Sequence, residues 1–199
     1  MAAEAEGPNP LLAANLFVGR DTQLIRLTQL LRQGRSALLV GGRRAGKTTL
    51  VRHLSGDGLE RAVVYTDVAG WDLTSEATAL GGLRGAVEGK LETTYDHATR
   101  NDVASAIEAI KPIALVMDEV DRVLLKSWDA SFFSFLRWLD DTHLRSDIAF
   151  VLVGGPVLAL FKDPDDRGSP PLNTAELTYM DPLDRQAGVC QSRVSHLAR

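Results

Sequence analysis

The sequence predicts an α/β domain with three layers, α/β/α, in which helices cover both faces of a central, mostly parallel five-stranded sheet. Three observations support this fold class. Apolar runs rich in Val, Ile and Leu alternate with segments of helical periodicity, and such runs are typical of parallel strands buried on both faces. A Gly-rich loop follows the first run and opens a helix. The 199 residues suffice for one large domain.

The first third of the chain predicts a helix, a strand and a second helix. Leucines recur at helical spacing over about residues 22–32, so this segment is predicted to be an amphipathic helix that ends at Gly34. Residues 36–40 form a short apolar run between glycines and predict a buried strand. The second helix is predicted to run from Lys47 to about Leu54.

The rest of the chain continues the alternation. Residues 71–110 are predicted to be mostly helical, with a cap at Asn101-Asp102 and a stop at Lys111-Pro112. Breaks in this helical region are expected near its glycines, Gly81, Gly82, Gly85 and Gly89. Further helices are predicted over about residues 131–141 and 184–197, and a loop at 168–171. The remaining predicted strands are residues 62–67, 112–117, 147–153 and 175–180.

A phosphate-binding motif lies between the first predicted strand and the second helix. Residues 41–48 match G-x-x-x-x-G-K-[ST], the P-loop, in full. Gly-rich backbone lets several N–H groups point at one phosphate, while Lys47 reaches the β- and γ-phosphates of ATP and Thr48 ligates Mg²⁺. Lys47 is therefore also a candidate catalytic residue. The predicted nucleotide-binding residues of this loop are Gly41, Gly42, Arg43, Arg44, Ala45, Gly46, Lys47, Thr48 and Thr49.

Two carboxylates, Asp118 and Glu119, end the third apolar run. Alone they are a weak signal, because acidic residues often end strands as solvated groups. After a P-loop, Asp118 is expected beside Thr48 on a neighbouring parallel strand, where both would hold Mg²⁺. Glu119 is expected to orient and deprotonate the attacking water as a catalytic residue. Asp121 is expected to cap the next turn and is interpreted as structural.

The composition of the chain excludes several classes of function. The formal net charge of −4 gives no global basic field for nucleic acid, and no direct nucleic-acid binding is indicated. The apolar runs are too short to span a membrane, and the N-terminus does not resemble a secretory signal. A single cysteine, Cys190, excludes an internal disulfide, and the four histidines have no metal-ligand spacing. A cytoplasmic location is the simplest expectation.

Three motifs together resemble a known superfamily. Phe17-Val-Gly-Arg20, the P-loop and Asp118-Glu119-Val-Asp121 resemble the AAA+ superfamily of P-loop NTPases. More closely, they are similar to its archaeal-type and STAND-like branch (signal-transduction ATPases with numerous domains), near the origin-recognition-type AAA domains. Residues 169–183 resemble the segment that closes the core there. The resemblance implies a flexible N-terminal tail at 1–15, an ATPase core at 16–183, and the start of a truncated C-terminal helical region at 184–199.

The resemblance also suggests roles for residues outside the P-loop. It places Phe17, Val18 and Arg20 near the adenine, the alternative being a hydrophobic helix staple with a solvated arginine. Arg167 lies where the superfamily often keeps an arginine finger that acts in trans, although its acidic neighbours favour a plain solvated loop. Two departures are expected to matter: Gly154-Gly155-Pro156 stands where a polar sensor residue is usual, and the helical lid is absent.

The resulting expectation is Mg²⁺-dependent ATP binding with hydrolysis, slow in the isolated chain, which couples nucleotide state to conformational change. ATP and ADP are the expected partners, with self-association or a partner protein through the ATPase domain. One alternative is a nucleotide-gated scaffold or signalling switch with negligible turnover. Another is an origin-recognition-like DNA-loading ATPase, which would need a winged-helix domain. A P-loop kinase is a third, and Glu119 argues against it.

Overall fold

The computed structural model describes residues 19–54, 59–89, 95–124, 126–142, 147–160, 172 and 174–181. The predicted tail, the loop at 168–171 and the helix at 184–197 lie outside these residues. Two short 3-10 turns lie at Val68–Gly70 and Val120–Arg122. In chain order, the helices and strands are α1 (Asp21–Arg32), β1 (Ala37–Gly41), α2 (Lys47–Arg52), β2 (Ala62–Asp67), α3 (Glu76–Val87), α4 (Arg100–Ile110), β3 (Ile113–Asp118), α5 (Asp129–Thr142), β4 (Ile148–Gly154), α6 (Pro156–Leu160) and β5 (Glu176–Met180).

The five strands form one parallel sheet in the order β2-β3-β4-β1-β5, which confirms the predicted α/β fold. The strand order corrects one expectation. The strand that ends in Asp118 is not a neighbour of the strand that leads into the P-loop. Instead β4 lies between them and pairs with both, through Ala37 and Val151 on one side and Ile113 and Ile148 on the other.

Two hydrophobic cores flank the sheet because successive side chains of a strand point to opposite faces. Leu38 and Val40 of β1 pack into the core that also contains residues of α3, α4 and α5. Ala37 and Leu39 pack into the other core, which contains residues of α1 and α2. The central strands β1, β3 and β4 are buried along their whole length. These contacts confirm the three-layer arrangement.

The predicted helix breaks at Gly81, Gly82 and Gly85 are wrong, because α3 runs through all three glycines. Close packing explains two of these glycines. A Cβ at Gly82 would lie 2.7 Å from the ring of Trp71, and one at Gly81 would collide with the carbonyl oxygen of Tyr95. The helix instead ends at Val87, shortly before Gly89, whose φ of 68° is left-handed. The break expected near Gly89 is therefore confirmed.

The cap of α4 lies two residues before the predicted one. Thr99 is the N-cap, and its hydroxyl accepts a hydrogen bond from the Asp102 backbone N–H at 3.2 Å. The Asp102 carboxylate accepts one in return from the Thr99 N–H at 2.8 Å. Asp102 thus belongs to the cap, but as the third helical residue of a capping box, a pattern in which the hydroxyl residue precedes the acid by three. The predicted stop is confirmed, since α4 ends at Ile110.

Candidate nucleotide-binding site

The P-loop joins β1 to α2 at the carboxyl edge of the sheet. Strand β1 ends at Gly41, and α2 begins at Lys47. Gly46, the residue before the helix, has a φ of 82°, a left-handed conformation that glycine adopts without the steric cost other residues bear. Arg44 is also left-handed, with a φ of 62°. Strained non-glycine backbone of this kind concentrates at functional sites.

The Lys47 side chain folds back over this loop. Its ammonium donates hydrogen bonds to the backbone carbonyls of Gly41 at 2.8 Å and Gly42 at 3.0 Å. These bonds use two of the three donors of the ammonium and hold it at the centre of the loop. Arg43 and Arg44 are exposed at the loop tip, as is Thr48 at the start of α2.

One cavity of about 710 Å³ brings the predicted site residues together. It reaches from the P-loop to the turn after β3 and passes the end of β4, where Gly154 and Gly155 contribute no side chain. The two glycines explain how Asp118 shares a cavity with Thr48 although β4 separates their strands. Gly42 belongs to the loop but not to the lining. The predicted residues in the lining are Gly41, Arg43, Arg44, Ala45, Gly46, Lys47, Thr48, Thr49, Asp118 and Glu119.

Asp118 ends β3 with a carboxylate that is almost fully buried, at 2% relative exposure. One oxygen, Oδ1, accepts a hydrogen bond from the Glu119 backbone N–H at 2.9 Å. The other, Oδ2, accepts one from the Tyr65 hydroxyl at 3.2 Å. Burying a carboxylate is costly unless such donors satisfy it. Asp118 is therefore held in one orientation at the cavity wall.

The oxygen donors at this wall suit Mg²⁺. The ion prefers hard oxygen ligands and is usually bound by one or two protein groups together with substrate phosphates and water. The Thr48 hydroxyl and the Asp118 carboxylate provide such a pair in one cavity. Among the described residues there is no cluster of three or more His, Cys, Asp or Glu side chains that could bind a metal without a nucleotide.

Glu119 has a left-handed backbone and a paired side chain. Its φ is 52°, which is unfavourable for a non-glycine residue, and about half of its side chain, 49%, is exposed. Its carboxylate forms an ion pair with Arg122, with 2.5 Å between Oε2 and Nε. The hydrogen bond to Glu119 raises the pKa of the Arg122 guanidinium. The candidate catalytic carboxylate is therefore held by a cation three residues along the chain.

Asp121 is not the turn cap that was expected, because it lies within the turn Val120–Arg122, whose backbone no described side chain caps. Its carboxylate accepts a hydrogen bond from the Gly155 backbone N–H at 3.0 Å, across to the end of β4. A Cβ at Gly154 would lie 2.9 Å from Oδ1 of the same carboxylate. Asp121 thus occupies the space that a side chain at Gly154 would need, and it lines the cavity.

Arg20 is not the solvated arginine of the alternative interpretation. It is buried at 7% relative exposure, and its guanidinium donates to the carbonyl of Ala45 at 3.1 Å and to that of Asp181. It therefore ties the P-loop to the residue after β5. Phe17, Val18 and Arg167 lie outside the described residues, so their predicted roles stay predictions.

Sequence reasoning missed four residues at or beside the site. The sequence pattern predicts only a structural role for Asp121 in the next turn and no role for Arg122. It gives no role to Gly155 beyond the lack of a side chain. Tyr65 carries no signal at all, because an aromatic residue in a strand is ordinary. The acidic spacing Asp118-Glu119-x-Asp121 was the one available hint for Asp121.

A family comparison agrees with this geometry. The model of the AAA domain family matches residues 30–160. The chain belongs to this family. The family assignment confirms the predicted AAA+ P-loop ATPase core and makes the protein an AAA-type ATPase domain. No curated protein matches the sequence.

Solved structures share the fold of this AAA domain at low sequence identity. The Walker-type ATPase PABY2304 of Pyrococcus abyssi is 17% identical, with a TM-score of 0.65 over 94% of this chain and 60% of that one. The Aeropyrum pernix Orc1 protein, solved in complex with DNA, is 13% identical, with a TM-score of 0.64 over 92% of this chain and 52% of that one. The AAA domain therefore spans little more than half the length of these proteins. No helix among its described residues is long and apolar enough to cross a membrane.

Proposed function

We propose that this AAA domain binds ATP with Mg²⁺ and hydrolyses it, coupling nucleotide state to conformational change. The observation that supports the proposal is one cavity lined by both the P-loop and the acidic pair Asp118-Glu119. A phosphate loop alone would suit any P-loop protein. A buried carboxylate together with a second carboxylate at the same cavity suits metal-assisted attack of water on the γ-phosphate.

The P-loop would bind the β- and γ-phosphates. Lys47 already donates to two carbonyls of the loop, and phosphate oxygens would replace them as its partners, which places a positive charge where the phosphates carry their negative charge. Exposed Arg43 and Arg44 would add positive charge at the mouth of the cavity. Both arginines are therefore proposed to lie on the phosphate side.

Thr48 and Asp118 would hold the Mg²⁺ ion. When bound, the ion neutralises charge on the β- and γ-phosphates. The hydrogen bonds from Glu119 and Tyr65 would keep the Asp118 carboxylate oriented toward it.

Glu119 would orient the attacking water and accept its proton. A carboxylate can act in this way when it lies within hydrogen-bonding reach of the water. Its present partner, Arg122, competes for the same oxygen atoms. Turnover of the isolated chain is proposed to be slow, and this competition would lower it by at most about fivefold, because exposed ion pairs are weak.

A nucleotide-gated switch with negligible turnover is the second candidate. Two features favour it: the Glu119–Arg122 ion pair, and the absence of a side chain at Gly154 and Gly155 beside the site. Membership of the STAND branch, a cytoplasmic location and self-association through the ATPase domain remain predictions. Recognition of DNA, as in the Orc1 complex, is not part of this proposal.

Thermal unfolding tests the proposal directly. Any ligand that binds only the folded state raises its stability, by about 2.7 kcal/mol at a concentration of 100 times Kd. We expect ATP with Mg²⁺ to raise the melting temperature of the chain, ATP with EDTA to raise it less, and AMP to leave it nearly unchanged. If ATP with Mg²⁺ left the melting temperature unchanged, the proposed function would be overturned.

A further inference from the structure

Asp118 depends on a side chain from another strand. Of its two oxygens, Oδ1 is satisfied by the backbone of the next residue, Glu119. Oδ2 is satisfied by the hydroxyl of Tyr65, 53 positions earlier in the sequence. A change of side chain cannot remove the hydrogen bond from the backbone. It can remove the hydrogen bond from the tyrosine hydroxyl.

The parallel pairing of β2 and β3 brings Tyr65 to this position. Tyr65 pairs with Val116, and Asp67 pairs with Asp118. Residues two apart share a face of the sheet, so Tyr65, Val116 and Asp118 lie on the same side. The phenol ring packs against the core that contains Val116, and its hydroxyl reaches the carboxylate two residues further along β3.

Arg52 at the end of α2 lies over the same ring. Its guanidinium carbon lies 5.2 Å from the ring centroid, within the range of a cation–π contact. The neighbouring Tyr65 side chain raises the pKa of Arg52. Burial raises the pKa of the Tyr65 hydroxyl, which therefore stays protonated and able to donate. Since α2 begins with Lys47 and Thr48, the Arg52–Tyr65–Asp118 contacts connect the helix of the P-loop to the carboxylate across the sheet.

We propose that Tyr65 is a positioning residue for Asp118, whose hydroxyl fixes the carboxylate in the orientation from which it reaches a divalent cation beside Thr48. This inference rests on the proposed function. Groups that orient a metal-binding carboxylate typically contribute about 10- to 100-fold to metal affinity. The hydrogen bond of 3.2 Å is long, so an effect near the lower limit, about tenfold, is expected.

The test separates the metal-dependent part of binding from the rest. Tyr65→Phe removes only the hydroxyl and keeps the ring that packs on Val116 and under Arg52. ATP affinity is measured by calorimetry, once with EDTA and once with excess Mg²⁺. We expect Tyr65→Phe to leave the affinity in EDTA unchanged and to lower the affinity in Mg²⁺ about tenfold. Tyr179→Phe on β5 is the matched control, because that tyrosine is exposed and outside the cavity lining.

Each other outcome has a defined meaning. Equal Mg²⁺-dependent affinity in wild type and Tyr65→Phe would overturn the positioning role while leaving the proposed function intact. An equal loss in EDTA and in Mg²⁺ would also overturn it, since the hydroxyl would then support the fold rather than the carboxylate. A wild-type chain that binds no ATP in either condition would instead refute the proposed function.

Discussion

The carboxylate of Asp121 accepts a hydrogen bond from the backbone N–H of Gly155 at 3.0 Å and thereby joins the turn after β3 to the end of β4. Both segments line the cavity. Gly154 is part of the same arrangement, because a side chain there would enter the space of the Asp121 carboxylate. The residues after the acidic pair therefore shape the site as well as the turn.

Replacing Lys47 with alanine is expected to abolish ATP binding. Lys47 is the one side-chain cation bonded to the Gly41 and Gly42 carbonyls among the described residues, so its loss removes the charge at the centre of the loop. Calorimetry with ATP and Mg²⁺ measures the effect. Lys126→Ala, outside the cavity lining, is the control and should bind as wild type does. Tight binding by Lys47→Ala would contradict the role proposed for the P-loop.

Replacing Asp118 and replacing Glu119 are expected to affect different steps. Glu119→Gln should keep ATP affinity but lose turnover, because an amide cannot accept the proton of water. Asp118→Asn should weaken Mg²⁺-dependent binding itself. Phosphate release and nucleotide affinity are measured for both variants, with Glu108→Gln on α4 as the control. Equal turnover in wild type and Glu119→Gln would favour the nucleotide-gated switch.

Removing Arg122 is expected to raise turnover. The Glu119–Arg122 ion pair is exposed and such pairs are weak, so freeing the carboxylate should increase phosphate release by at most about fivefold. Salt screens such pairs, and the difference between wild type and Arg122→Ala should shrink at high KCl. Arg122→Lys keeps the charge and should lie between the two. Lower turnover in Arg122→Ala would mean that Arg122 assists Glu119.

Gly154 and Asp121 are expected to be coupled in stability. Gly154→Ala places a methyl group 2.9 Å from Oδ1 of Asp121 and should cost about 1–3 kcal/mol of unfolding free energy. In an Asp121→Ala background only Cβ of residue 121, at 3.2 Å, stays close to the added methyl group, so the same substitution should cost less. Urea unfolding of the four proteins of this cycle measures the coupling. Gly70→Ala, where a Cβ meets nothing within 4 Å, is the control. Identical costs in both backgrounds would refute the coupling.

Arg167, outside the described residues, offers a test of self-association. An arginine supplied in trans increases phosphoryl transfer by about 10³–10⁵-fold where it has been measured. With such a finger, turnover per chain would rise with protein concentration in the wild type. In Arg167→Ala, turnover per chain would stay constant at all protein concentrations. The acidic neighbours of Arg167 favour a solvated loop, so we expect turnover to be independent of concentration in both proteins. A steep rise lost in Arg167→Ala would establish the finger.

Local sequence patterns were sufficient for most of the secondary structure. The strands 62–67 and 147–153 were predicted within one residue, because a run of apolar side chains is a local signal. The prediction that 62–67 is buried was wrong, since β2 is an edge strand and most of its side chains are exposed or half-buried. The helix α3 was predicted with false breaks, since a glycine in a helix is a weak local signal. Only the packing of Trp71 and Tyr95 against Gly82 and Gly81 shows why glycine is required there.

By itself the sequence determined the class of the fold and the residues of the phosphate loop, since residues 41–48 are contiguous and their chemistry is local. The tertiary structure decided which distant groups meet. It inserted β4 between the strands of Gly41 and Asp118, and it brought Tyr65 to Asp118 and Asp121 to Gly155. These contacts depend on strand order and register, which arise from how whole strands pair and pack. No short segment of sequence carries that information.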